Sequence, residues 1–141
     1  ALAVGAAILT GALGACSAMA PGPTAQSEMR KVVFQVSEAD PKNWNLALNN
    51  LRNVQQAIGK DKVLTELVVY GPGIAMLKAE SKVEPRITQA LTDGVRVVAC
   101  ENTMHAQKLT KADMIPGIGY VPGGVVELME RQREGWAYIR P

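Results

Sequence analysis

The chain reads as a single α/β domain, a three-layer α/β/α arrangement around a five-stranded, mostly parallel sheet with flavodoxin-like layering. Three observations predict it. Short apolar, β-branched runs alternate five times with helical segments, the order that builds a parallel sheet covered on both faces. Hydrophobic residues make up 48% of the sequence and aromatics only 4%, so the core must come from Val, Leu, Ile, Ala and Met, as in buried parallel strands. At 141 residues there is material for one ordinary core and not for two.

Lys31-Val32-Val33-Phe34-Gln35-Val36 is the first strand. Asp40 is a good N-cap and Pro41 suits the first helical position, so a helix is expected from there to Ile58, with Gly59 as its left-handed stop. Trp44, Leu48, Leu51 and Ile58 fall on one face suited to packing on a sheet, and Gln55 shares that face as its polar exception. The run Val63 to Tyr70 is the second strand, broken by Gly71-Pro72-Gly73, and a helical turn through Ile74 to Leu77 follows. Ser81-Lys82-Val83-Glu84 has capping-box spacing and should start a helix that ends near Gly94.

Val95 to Cys100 is the third strand, and Glu101-Asn102-Thr103 opens a helix through Met104, His105 and Leu109. Thr110-Lys111-Ala112-Asp113 repeats the capping-box spacing before a stop at Pro116-Gly117. Ile118 to Val121 is a brief fourth strand, Gly123 to Glu134 a helix with Val126, Met129 and Glu130 on one side, and Trp136 to Ile139 the last strand after Gly135. In an open sheet of this kind ligands bind beyond the carboxyl ends of the strands. Ser37, Tyr70, Cys100 and Tyr120 all fall at that edge.

Before the first charged residue, Glu28, runs an apolar stretch rich in Ala, Gly and Leu, of a length that suits a secretory h-region rather than a spanning helix. The chain begins without Met or a basic n-region, so the start of the gene product is expected upstream. Leu13-Gly14-Ala15-Cys16 resembles a bacterial lipobox, which predicts cleavage before Cys16 and its lipidation. The competing expectation is cleavage after Ala18-Met19-Ala20, with Pro21 at the cut against it; a buried N-terminal helix is the third, without a polar face at helical period. The expected organisation is residues 1–15 as signal peptide, 16–29 as lipobox cysteine and flexible tether, and 30–141 as the folded domain. That predicts an exported protein of the bacterial periplasm or cell envelope, held to the membrane by a lipid anchor only.

The 15 Lys and Arg against 13 Asp and Glu give a net charge of +2, interspersed along the chain, which argues against nucleic acid as a partner. Serine-histidine catalysis lacks a nucleophile elbow, because Gly-x-Ser-x-Gly does not occur. Gly71-Pro72-Gly73 offers N–H groups to an anion but carries no dinucleotide or Walker signature, and turn geometry also explains it. No metal ligand spacing is formed by Cys100, Glu101, His105 and Asp113, and no cofactor is implied.

Cys100 is the residue that chemistry singles out. At a strand end beneath helical N–H groups its thiol is favoured to ionise, and with Cys16 in the processed segment it has no disulfide partner in its own chain. It reads as a nucleophile or as a small core residue, free cysteine being among the most buried types. The lone histidine, His105, faces either the thiol or water; Lys108 either raises the local potential or lies solvated on the helix. Tyr70 and Tyr120 either shape a pocket around the sulfur or pack at strand ends. Glu101 opposes ionisation.

The segments Gly94 to Met104, Pro116 to Pro122 and Gly135 to Tyr138 resemble the DsrE/DsrF-like family of sulfur-relay proteins, the likeness running from about Lys31 to Pro141. The resemblance implies a DsrEFH-like five-stranded α/β/α fold and homo-oligomers, trimers or hexamers. In the family's sulfur carriers a cysteine after the third strand accepts sulfane sulfur as a persulfide and passes it from a donor to an acceptor protein; Cys100 holds that place. Two features depart from those carriers: Lys108-Leu109 stands where they have an Arg-Gly pair, and they work in the cytoplasm. The resemblance therefore offers a persulfide carrier or sulfurtransferase, against a non-catalytic oligomeric binding or assembly module in which Cys100 is packing.

Overall fold

The computed structural model describes residues 2–5, 11 and 28–141; the lipobox, Cys16 and most of the tether lie outside the described residues. Five parallel strands, β1 (Arg30–Val36), β2 (Val63–Val69), β3 (Arg96–Cys100), β4 (Gly119–Val121) and β5 (Ala137–Ile139), form one sheet in the order β4-β3-β2-β1-β5. Four helices connect them: α1 (Pro41–Ile58), α2 (Glu84–Thr92), α3 (Glu101–Ala106) and α4 (Gly124–Arg133). The Gly71–Leu77 and Lys111–Asp113 segments are 3-10 turns. No helix among the described residues is long and apolar enough to cross a membrane.

Local signals fix most boundaries. Asp40 accepts the Lys42 N–H at 2.9 Å, with Pro41 opening α1, and Gly59 ends it at φ 103° and ψ 132°, a positive-φ glycine conformation outside the expected left-handed helical region. The Thr110–Asp113 capping box forms. The expected box at Ser81 does not, and α2 starts at Glu84 with no side-chain cap. The reason is Pro85: a helix capped at Ser81 would need the residue 85 N–H for its first bond, and proline has none. The Ser81 carbonyl instead takes the Glu84 N–H at 3.0 Å, and the Glu84 carboxylate accepts from Thr88 Oγ1 at 2.8 Å.

The two faces of the sheet are covered unequally. On one lie α1, α2, α3 and the first 3-10 turn, burying Phe34, Leu51, Leu67, Ile74, Met76, Ile87 and Met104. Gln55 is buried there too; it donates to Asp93 O at 2.9 Å and Thr65 Oγ1 at 3.4 Å, tying α1 to α2 and β2. Among the described residues the other face has α4 alone, with Leu128 over Val33, Val68, Val98 and Val121 of the sheet. Of the expected α4 positions, Val126 and Met129 point outward, 59% and 56% exposed.

A buried ionic group seats α4. Glu66, in the central strand β2 and without exposure, meets Arg131 Nε at 2.6 Å and Arg96 Nη1 at 3.8 Å. Glu127 bridges the same two arginines at 3.4 and 3.0 Å, and the Arg131 guanidinium lies over the Trp136 ring. Glu66 Oε1 has no hydrogen-bond partner among the described residues. Burial, reinforced by the neighbouring Glu127, pushes the Glu66 carboxyl up to about 7 against the pull of Arg96 and Arg131.

Because this acid binds its proton more tightly folded than unfolded, where its pKa is about 4.3, the native state holds more protons across that interval. Its contribution therefore disfavours folding increasingly as pH rises from about 4.3 to 7, and is absent below it. Urea unfolding should show stability falling by roughly 1–3 kcal/mol between pH 5 and 7.5. Glu66→Gln should flatten that slope; an unchanged slope would place the proton elsewhere.

Candidate functional site

The connections leaving β3 and β4 diverge. The helix after β3 packs on the α1/α2 face through Met104, whereas the helix after β4 packs on the opposite face through Leu128. Adjacent parallel strands whose crossovers go to opposite sides leave a crevice beyond their carboxyl ends. Cys100 ends β3 at that edge, buried and paired in register with Val121 of β4.

Donors from both helices converge on the sulfur. Burial by itself raises the thiol pKa; the Thr103 hydroxyl and the N–H groups of Gly124, Thr103 and Asn102 pull it down, and the donors prevail. The Cys100 side chain makes no cap hydrogen bond to α3, and the Asn102 N–H bonds Pro122 O at 3.2 Å, so these groups act on the sulfur as oriented dipoles. Thr103 Oγ1 accepts the Gly71 N–H at 2.9 Å, which ties α3 to the turn after β2. Gly73 N–H goes to Ser37 O at 2.9 Å, so Gly71-Pro72-Gly73 spends these donors inside the protein and not on a ligand. Glycine is required at 73, where a Cβ would lie 2.9 Å from Val36 O, and at 124, where it would lie 3.0 Å from Tyr70 Cβ.

The remaining expected residues divide. Tyr70 is half-buried on the Cys100 side of the sheet, against Gly124. Its hydroxyl accepts from Gln35 Nε2 at 2.7 Å, and the same amide accepts from Tyr138. Tyr120 pairs with Ala99, the residue before Cys100, so strand alternation turns its ring to the other face. There it lies under Lys111 Nζ, 4.6 Å from the ring centroid, and burial with the Glu101 charge holds its hydroxyl above the ordinary range. His105 is exposed in the last turn of α3.

Lys108 is exposed, with φ 55°. Its N–H bonds His105 O at 3.1 Å and the Leu109 N–H bonds Met104 O at 2.8 Å, a Schellman stop with lysine where glycine is usual. The equivalent stops after α2 and α4 use Gly94 and Gly135. Lys108 thus ends the helix at Ala106, short of Leu109. The thiol itself is 5% exposed.

An open parallel α/β domain with an acidified thiol at its crossover crevice defines a class of cysteine-bearing doubly wound proteins. Within it, this chain belongs to the DsrE/DsrF-like family, whose profile matches residues 30–141. Among solved structures it is similar to a protein of unknown function, MTH1491, from Methanobacterium thermoautotrophicum, with 35% identity, TM-score 0.76, and 79% of this chain and 99% of that one covered. A protein of unknown function from Bacteroides thetaiotaomicron, BT1422, is 16% identical with TM-score 0.66, covering 84% and 100%. The ychN protein of E. coli is 11% identical with TM-score 0.63, covering 81% and 99%. The last two show the fold alone. No curated protein sequence matches.

Replacing Thr103 with Val removes the hydroxyl but keeps the shape, so the pH midpoint of Cys100 alkylation by iodoacetamide should move upward. Thr103→Ser should restore it. A midpoint indifferent to Val would mean that the backbone donors suffice.

Proposed function

We propose that this protein handles sulfane sulfur in the cell envelope, with Cys100 as a persulfide carrier or sulfurtransferase. Family membership suggests a sulfur-relay role, and the observation that carries the chemistry is the set of donors around one thiol in the crevice. The Cys100 thiolate attacks the terminal sulfur of a persulfide or polysulfide donor. A new S–S bond forms to Cys100 as the donor's S–S bond breaks, and the donor departs as thiolate. An acceptor thiolate then attacks the outer sulfur, and Cys100 leaves as thiolate again. Each exchange is redox-neutral overall and needs no cofactor.

The N–H groups and the Thr103 hydroxyl stabilise the sulfur anion before attack and again on departure. Tyr70 bounds the crevice. His105 and Lys108, both exposed, would serve only to attract an anionic donor at longer range. At 5% exposure the thiol favours a slim hydropersulfide or polysulfide over a folded disulfide. In this reading the protein works as a homo-oligomer, trimer or hexamer, with donor and acceptor proteins as further partners.

A second reading, a binding or assembly module with structural Cys100, draws support from the outward apolar side chains Val125, Val126 and Met129 on α4. Incubation with a polysulfide donor followed by intact-mass measurement separates the two. The carrier gains the mass of one sulfur, removable by a thiol reductant and absent in Cys100→Ser. No added sulfur, or equal addition to Cys100→Ser, leaves only the module.

Envelope location has its own readout in the mature N-terminus of protein recovered from cells. A diacylated Cys16 supports the lipoprotein, and a start at Pro21 supports export by simple cleavage. An unprocessed cytoplasmic chain ends the envelope reading.

A further inference from the structure

Away from Cys100, a cleft of about 260 Å³ lies between α1 and α2. Its apolar lining comes from Leu48, Leu51, Ala90 and Val95, and two guanidinium groups, Arg52 and Arg86, border it. Arg86 Nη1 donates to Asn45 Oδ1 at 2.5 Å and its Nη2 to Asn49 Oδ1 at 2.8 Å. These amide oxygens, one turn apart on α1, fix the direction of the guanidinium and neutralise none of its charge.

Elsewhere the pattern differs. Arg96, Arg131, Arg133 and Arg140 meet carboxylates, whereas among the described residues Arg30, Arg52 and Arg86 do not, and of these only Arg52 and Arg86 border this cleft. The one carboxylate bordering the cleft, Asp93, is held by Lys60 at 2.6 Å and Gln89 at 3.3 Å. Burial, then the Arg52 charge, holds the Arg86 pKa below its ordinary value, as expected for two cations sharing a site without a counterion.

We infer that this cleft binds a small organic anion, with a carboxylate or phosphate head on Arg52 and Arg86 and a short aliphatic body on the Leu48, Leu51 and Val95 floor. Arginine presents forked donors that suit both heads. Small-molecule sites usually occupy roughly 300–1,000 Å³, so the volume suits a compact ligand and not a peptide helix. This inference is independent of the sulfur chemistry of Cys100.

The probes are hexanoate and hexyl phosphate, with hexylamine as the cation of matching body, each titrated into the purified protein while the methyl NMR signals of Leu48, Leu51 and Val95 are followed. Both anions should shift these signals saturably at millimolar concentration and hexylamine should not; the tighter anion identifies the head. Arg86→Gln should weaken binding roughly tenfold, the loss of a charge-assisted hydrogen bond. Arg52→Gln, at an exposed position, should act in the same direction without disturbing the Asn45 and Asn49 contacts. Equal response to hexylamine, absence of saturable shifts, or anion binding unchanged in both variants would overturn the site.

Discussion

The divergence of the chain after β3 and β4 is the constraint on which the site depends. A crossover that stayed on one face would cover Cys100 with a single layer. Here α3 goes to one side and α4 to the other, so two separate segments bring N–H groups to one sulfur. The pairing of Cys100 with Val121 fixes the strand ends in register, and Asn102 N–H to Pro122 O at 3.2 Å joins the loops. The crevice is a product of topology, with side chains adjusting what topology has placed.

Within it, burial and donation compete. Removing a thiolate from water is costly, and burial is the largest single influence on Cys100, upward. The same exclusion of water strengthens every oriented dipole nearby, and the combined pull of four donors reverses the direction. Thr103 matters because it is itself constrained: by accepting the Gly71 N–H, its hydroxyl oxygen is held in place beside the end of β3. A glycine at 124 lets the α4 terminus approach beside Tyr70. The thiol is thus buried with its pKa held below the ordinary value.

Much of this was legible in the chain, and the illegible parts share a cause. Asp40-Pro41, Gly59 and the Thr110–Asp113 box are local signals, and local geometry obeys them. Cys100 at a strand end before a helix was visible for the same reason. Tyr120 was misleading because the face it takes depends on the register of β4 against β3, which three residues of strand do not announce. Lys108 reads as a solvated cation, and its left-handed backbone follows from where α3 stops. Glu66 sits inside an apolar run, where no local signal marks it. A carboxylate there demands a cation, and its closest one, Arg131, lies 65 residues away. The resemblance to DsrE-like proteins carried the fold further than the periodicity alone.

Glu66 also bears on the site through the helix it seats. The donors from Asn102 and Thr103 are held close to Cys100 by chain continuity. The Gly124 donor comes from α4, the only helix on its face among the described residues, and its position relative to the sheet rests on Leu128 packing and on the ion pairs of Arg131 and Glu127 with Glu66 and Arg96. A buried carboxylate with an unpartnered oxygen makes that seat costly to ionise, while removal of Arg131 would leave the charge without its closest counterion. The ring around the sulfur therefore has one half fixed by covalent proximity and another fixed only as well as α4 is bound to the sheet. In a domain where three helices cover one face and one covers the other, the thinner layer supplies the donor most sensitive to packing.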